Sequence, residues 1–147
     1  MKPFVSSIDR SGPPAHWERL SYSSFVSTAF GDVWFAPETA DRDEGLCGFL
    51  ADERHLNRLG VVHGGALATL ADISLWRSGA LDADAVEAVT VTLNTEFLAS
   101  AKEGEWVWSS GEVVRGGGKM VFARGLIHAG ETPVLSYSGT LKRITRR

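Results

Sequence analysis

The 147-residue chain has the length of one ordinary domain, and a domain of that size buries roughly 68–70% of its unfolded surface without disulfide or metal staples. Hydrophobic residues make up 44% and charged residues 22%, a composition that excludes a disordered chain. Fifteen Lys and Arg against eighteen Asp and Glu leave a net charge of −3, the wrong balance for a nucleic-acid binder, and no apolar run approaches the roughly 20 residues that span a bilayer.

Residues 1–30 read as an N-terminal arm, and residues 31–147 as the domain proper. The first fifteen residues are polar, carry Gly12, Pro13 and Pro14, and lack the apolar stretch of a secretory signal, so a cytoplasmic location is expected. From His16 to Phe30 the placement of Trp17, Leu20, Phe25 and Val26 is read as a short helix, with irregular cover as the alternative. GDVWFAPE, from Gly31, suits a strand that Pro37 limits, and LCGFLAD, from Leu46, supplies a second strand across the charged turn TADRDEG, so the two form a hairpin. Cys47, the single cysteine, reads as a small core residue and leaves no intrachain disulfide or cysteine zinc cluster. His16, His55 and His128 have no ligand spacing, so no metal is expected.

The loop HLNRLGVV runs into HGGALATLADISLWRSG. Good helix formers from Gly65 to Arg77 predict a helix, with Gly79 at the expected stop. Asp72 is its only acid and nearly every other side is apolar, which predicts a buried central helix. After LDADAVE four β-rich runs begin at Ala88, Glu105, Lys119 and Pro133, joined by the links AKEG, GGG and GET. Such runs predict an antiparallel meander, and one helix ahead of it predicts an α+β layer with the sheet wrapped over the helix.

The segment from Asn57 to Asp72 carries the chemistry. Gly64 and Gly65, directly before the helix, leave its first amides bare, where the helix dipole favours a developing negative charge. The alternative is a tight turn and nothing more. A carboxylate in a buried helix costs several kcal/mol unless partnered, so Asp72 is either satisfied by neighbours or a base or nucleophile whose pKa desolvation raises. Asn57 and His63 orient the loop or a substrate carbonyl. Nine residues of helix at roughly 1.5 Å each put His63 about 13 Å from Asp72, too far to meet at one carbon within one chain. Two copies packed about a twofold axis, helices antiparallel, would bring them together.

Asn57, followed after five residues by His63-Gly64-Gly65 and then by Ala68-Thr69-Leu70-Ala71-Asp72, resembles the signature of the hotdog-fold acyl-CoA thioesterases, in particular their PaaI-like branch. VTVTLNTEFLASAKEGE and EVVRGGGKMVFARGLI are similar to the family's strand patterns, and the resemblance covers about residues 31–143. It implies a hotdog fold, an antiparallel sheet wrapped around a central helix, working as a homodimer or a dimer of dimers. It further implies that the Gly64 amide polarises the thioester carbonyl and that Asp72 of the partner copy activates water or attacks. Asn57 and His63 would position thioester or water, and Thr90 would supply a hydroxyl that contacts water. Trp76 stands where some relatives carry a threonine, so either Thr90 takes that role or the acyl pocket is shaped differently. Gly65 is a candidate for binding substrate through its amide, and for the coenzyme A portion the hairpin of Arg115, Gly117, Gly118 and Lys119 supplies candidate contacts, the alternative being a plain glycine hairpin with solvated charges. No cofactor is implied beyond the coenzyme A of the substrate. Hydration or dehydration of an acyl thioester, and non-catalytic acyl-CoA binding, are the competing functions.

Overall fold

The computed structural model describes residues 9–20, 24–82 and 87–144. The start of the expected arm, the middle of LDADAVE and the last three residues of the basic end KRITRR lie outside the described residues. Seven strands and one long helix carry the architecture: β1 (Glu18–Leu20), β2 (Val33–Phe35), β3 (Cys47–Leu50), α1 (Gly64–Asp82), β4 (Glu87–Phe97), β5 (Trp106–Arg115), β6 (Met120–Ala129) and β7 (Thr132–Ile144). The strands form one antiparallel sheet in the order β1-β2-β3-β5-β6-β7-β4, with α1 packed against β3 to β7. This is the α+β layer expected, and the hairpin of β2 and β3 pairs Trp34 with Gly48 and Phe35 with Cys47.

Three expectations are corrected. Among the described residues the helix expected over 16–30 is one π turn at Val26–Phe30, while Glu18–Leu20 is an edge strand on β2 and residues 21–23 of that span lie outside the described residues. The four long strands are not one run of hairpins, because β4 pairs only with β7 and the neighbour of β5 on its other side is β3. The link after β4 does not turn back. Its backbone binds the loop ahead of the helix instead, Val62 N–H donating to the Ala101 carbonyl, and Gly104 N–H to Ala51. Gly79 does not stop α1, which runs on to Asp82. A Cβ at Gly79 would lie 2.6 Å from Leu141 Cδ1, so glycine is needed there for close approach of helix and sheet.

The helix is covered on one side only. Leu67, Leu70, Ala71, Ser74, Leu75 and Ser78 are buried against the sheet, whereas Gly65 and Asp72 are exposed. Spacings of three and four residues between the buried positions are those of one helix face. Among the described residues no helix is long and apolar enough to cross a membrane, and no group of three or more His, Cys, Asp or Glu side chains is placed to hold a metal ion.

A second, smaller core of tryptophans lies beside the main one. Trp17 meets Trp106 edge-on at 5.8 Å, and His128 stacks on Trp108 with ring centroids 4.3 Å apart. The Arg10 guanidinium lies 3.6 Å from the centroid of the Trp108 ring. Burial, with repulsion from Arg10, pushes the His128 pKa down to about 4 from an ordinary 6.5. Between those values an unfolded chain binds a proton that the folded chain refuses, so stability is full above about 6.5 and falls as the pH drops towards about 4. Urea unfolding midpoints between pH 7 and 4 are expected to decline, and His128→Phe to flatten the decline. An identical slope in that variant would remove His128 as its source.

Candidate active site

The loop before α1 is held by its own side chains. Asn57 Oδ1 accepts from the N–H groups of Leu59 (2.9 Å) and Val61 (3.3 Å), and Gly60 takes φ +81°, a conformation that favours glycine. Asn57 thus orients the loop. His63 N–H donates to the His55 carbonyl, and the His63 carbonyl accepts from Ala66 and Leu67, so His63 is the residue from which the helix starts. Its ring accepts as well. Gly65 N–H donates to His63 Nδ1 at 2.8 Å, which leaves the ring proton on Nε2 when the imidazole is neutral. Gly65, expected to offer its amide to substrate, therefore gives it to His63.

The Gly64 amide is different. It donates to none of the described residues and sits at the positive end of a helix running from Gly64 to Asp82. A Cβ at this position would lie 3.1 Å from the Phe97 ring, which is exposed and would have to give by a few tenths of an ångström.

Two turns along α1 Asp72 is exposed, not buried as the all-apolar helix suggests. Thr90, on β4, donates its hydroxyl to Asp72 Oδ1 at 2.7 Å, and Oδ2 has no partner among the described residues. The pairing follows from the sheet: Thr90 stands opposite Leu141, a buried residue of the helix-facing side, next to a break in register at Thr90/Thr92.

Asp72 and Thr90 open into a cavity of about 560 Å³ walled by Val33, Phe35, Ile73, Trp76 and Val89. His63 and Gly65 line a separate cavity of about 340 Å³, together with Phe30, His55 and Thr69. One short stretch contributes to both, Val26 to the first and Phe25 and Ala29 to the second. The structure thus joins Thr90 to Asp72, and Asn57 to the loop that carries His63, while Asp72 and His63 line different cavities. Arg115, Gly117, Gly118 and Lys119 reach neither. They form the tip between β5 and β6, where Gly117 takes φ +89° and the Gly118 and Lys119 carbonyls accept from Arg143.

His55 matters more than its sequence position suggests. It is buried between the Phe30 and Phe49 rings, accepts from Asp52 N–H at Nδ1 and lies 2.6 Å from the Phe30 carbonyl at Nε2. Its own carbonyl anchors His63, so it ties the β1–β2 segment to the helix start. Asp52 three residues earlier, with the reciprocal bonds of a capping box, was the available signal.

A family model of the thioesterase superfamily matches residues 59–136. The chain belongs to the thioesterase superfamily. Among curated relatives, a Pseudomonas aeruginosa protein whose name proposes an esterase is 39% identical over 89 residues, covering 60% of this chain and 66% of that protein. Mouse (Mus musculus) acyl-coenzyme A thioesterase 13 is 30% identical over 78 residues, covering 53% and 56% respectively. The chain thus spans a little under two thirds of the first and just over half of the second. A hypothetical thioesterase of Streptococcus pneumoniae, solved with coenzyme A, is 25% identical with a TM-score of 0.60, covering 69% of this chain and 81% of that one. The superfamily match takes in Gly64, Asp72 and Thr90, while Asn57 lies just ahead of it. The sheet folded over one central helix is the hotdog fold expected of the superfamily.

Proposed function

We propose that this member of the thioesterase superfamily hydrolyses an acyl-CoA to the free acid and coenzyme A, at a site that two copies of the chain build together. One observation carries the reading: α1 bears an uncommitted amide at its start and, two turns on, an exposed carboxylate fixed by Thr90. The name of the mouse relative and the coenzyme A in the pneumococcal structure support the substrate class.

The chemistry needs both groups at one carbonyl. Gly64 N–H of one copy binds the carbonyl oxygen, and the helix dipole stabilises the oxyanion. Asp72 Oδ2 of the other copy takes a proton from water while Thr90 holds Oδ1 and so sets the direction of the free oxygen. The water oxygen bonds to the carbonyl carbon, the carbon–sulfur bond breaks, and the proton on Asp72 passes to the departing thiolate. His63 and Asn57 act through the loop, keeping the Gly64 amide in place.

The dimer has support of its own. β4 is an eleven-residue edge strand with Val91 52% and Phe97 56% exposed, an edge that a second β4 running antiparallel would pair and cover. Its ends lie beside the two halves of the site, Thr90 near Asp72 and Phe97 near Gly64.

Mixing two crippled chains tests the arrangement. Gly64→Pro removes the amide at a helix position where proline is tolerated, and Asp72→Asn removes the base. Each alone is expected to be nearly inactive, and an equimolar mixture after subunit exchange to recover about a quarter of wild-type thiol release, from the one intact site of each mixed dimer. No recovery, with mixed dimers demonstrated by mass spectrometry, would overturn the shared site.

A further inference from the structure

We infer that Trp76 sets the depth of the cavity beside Asp72, and that this cavity takes an acyl group that is apolar, uncharged and either aromatic or of medium length. The inference rests on the hydrolase reading above and adds the class of substrate.

At about 560 Å³ the cavity is in the range of sites that enclose a small organic ligand. β2 contributes Val33 and Phe35, α1 Ile73 and Trp76, and β4 Val89. Its polar side-chain groups are Asp72, Thr90 and the indole N–H of Trp76, and the Thr90 hydroxyl is already committed to Asp72. Among the described lining residues, the indole N–H of Trp76 is the one side-chain donor left for an acyl group. A second carboxylate on the acyl chain would face Asp72 and exchange water for at most that single neutral donor. Arg77, the cation next along α1, gives an N–H to the Ala36 carbonyl and lies 5.6 Å from the Phe35 ring centroid. An acetyl group would leave most of the apolar wall unfilled.

Trp76 follows Asp72 by one helical turn, so the two side chains share a face of α1. Its indole meets the Phe35 ring edge-on, with centroids 6.4 Å apart and planes at 88°. The indole therefore stands in the path of an acyl chain that starts at Asp72 and runs along the helix. Alanine there would lengthen the path by most of a side chain.

The full chain is assayed against acetyl-, octanoyl-, phenylacetyl-, palmitoyl- and succinyl-CoA. Thiol release gives kcat/KM for the wild type and Trp76→Ala. Calorimetry gives the affinity of the Asp72→Asn chain, which keeps its thioester, with and without Trp76→Ala. The wild type is expected to prefer octanoyl- or phenylacetyl-CoA over acetyl-, succinyl- and palmitoyl-CoA by at least ~10-fold. Trp76→Ala is expected to raise palmitoyl-CoA relative to octanoyl-CoA by at least ~10-fold, with affinities moving the same way. A cooperative melt confirms folding, and Trp76→Leu makes the same comparison if alanine fails to fold. An acyl profile that neither variant moves overturns the inference, as does a wild-type preference for acetyl or succinyl. If no thioester releases thiol, the hydrolase reading falls alone, and the Asp72→Asn affinities decide the occupant of the cavity.

Discussion

Asparagine in place of Asp72 is expected to lower kcat for acyl-CoA hydrolysis by about 10³-fold or more, within the range for loss of a positioned base. The fold should hardly notice. Asp72 is exposed, its one hydrogen bond is an accepted one, and the asparagine oxygen accepts the same Thr90 hydroxyl. Stability is therefore expected to change by no more than about 0.5 kcal/mol, as for other surface substitutions. Stopped thiol release and a thermal melt on the same preparation check both halves. A variant that keeps its activity removes Asp72 from the reaction, and one that loses several kcal/mol makes it a structural aspartate.

The largest loss of stability is expected from Gly125→Ala, far from Asp72. Gly111, Gly125 and Tyr137 stand side by side on β5, β6 and β7, and the Tyr137 ring lies across the glycines. Its hydroxyl donates to the Ser110 carbonyl at 3.0 Å, and burial raises the phenol pKa well above its ordinary value. A Cβ on Gly125 would lie 2.0 Å from the Ser110 carbonyl oxygen and 2.5 Å from the Tyr137 hydroxyl. Backbone cannot swing aside as a surface side chain does, so the strands must part or the tyrosine must leave its place. A cost of about 3–5 kcal/mol is expected, a large share of the roughly 5–15 kcal/mol that holds a domain. Urea denaturation measures it. A loss under about 1 kcal/mol would mean that the sheet yields here more readily than a packed core does.

The long elements were legible because each repeats one signal many times. Residues 65–77 have no breaker, and the runs from Glu105, Lys119 and Pro133 are rich in strand formers, so β5, β6 and β7 could be read directly. Short elements carry too little signal. Trp17 and Leu20 have helical spacing, yet Trp17 is buried against Trp106 and three residues from Glu18 pair with β2. Gly79 looked like a stop because sequence does not reveal how near Leu141 would come. The glycines and histidine before the helix were visible as a motif, and so was Asp72. Its exposure was not, since an apolar pattern does not say which face of the helix the sheet leaves uncovered. Arg115 and Lys119 drew attention as cations beside glycines, but register places that tip at a sheet end, outside both cavities.

The position of β4 has a consequence for how the chain is made. It directly follows α1, yet its partner is the last strand, with Glu87 opposite Ile144 and Phe97 opposite Leu135. β3 likewise waits for β5, across the helix and β4. Among the described strands, two of the six pairings, β3 with β5 and β4 with β7, therefore join residues far apart in sequence, and such pairings form late. On a ribosome adding about 5–20 residues per second, the apolar face of α1 emerges several seconds before β6 and β7 exist to cover it. That interval, more than any weakness of the finished domain, is when the chain is most open to aggregation and most in need of a chaperone.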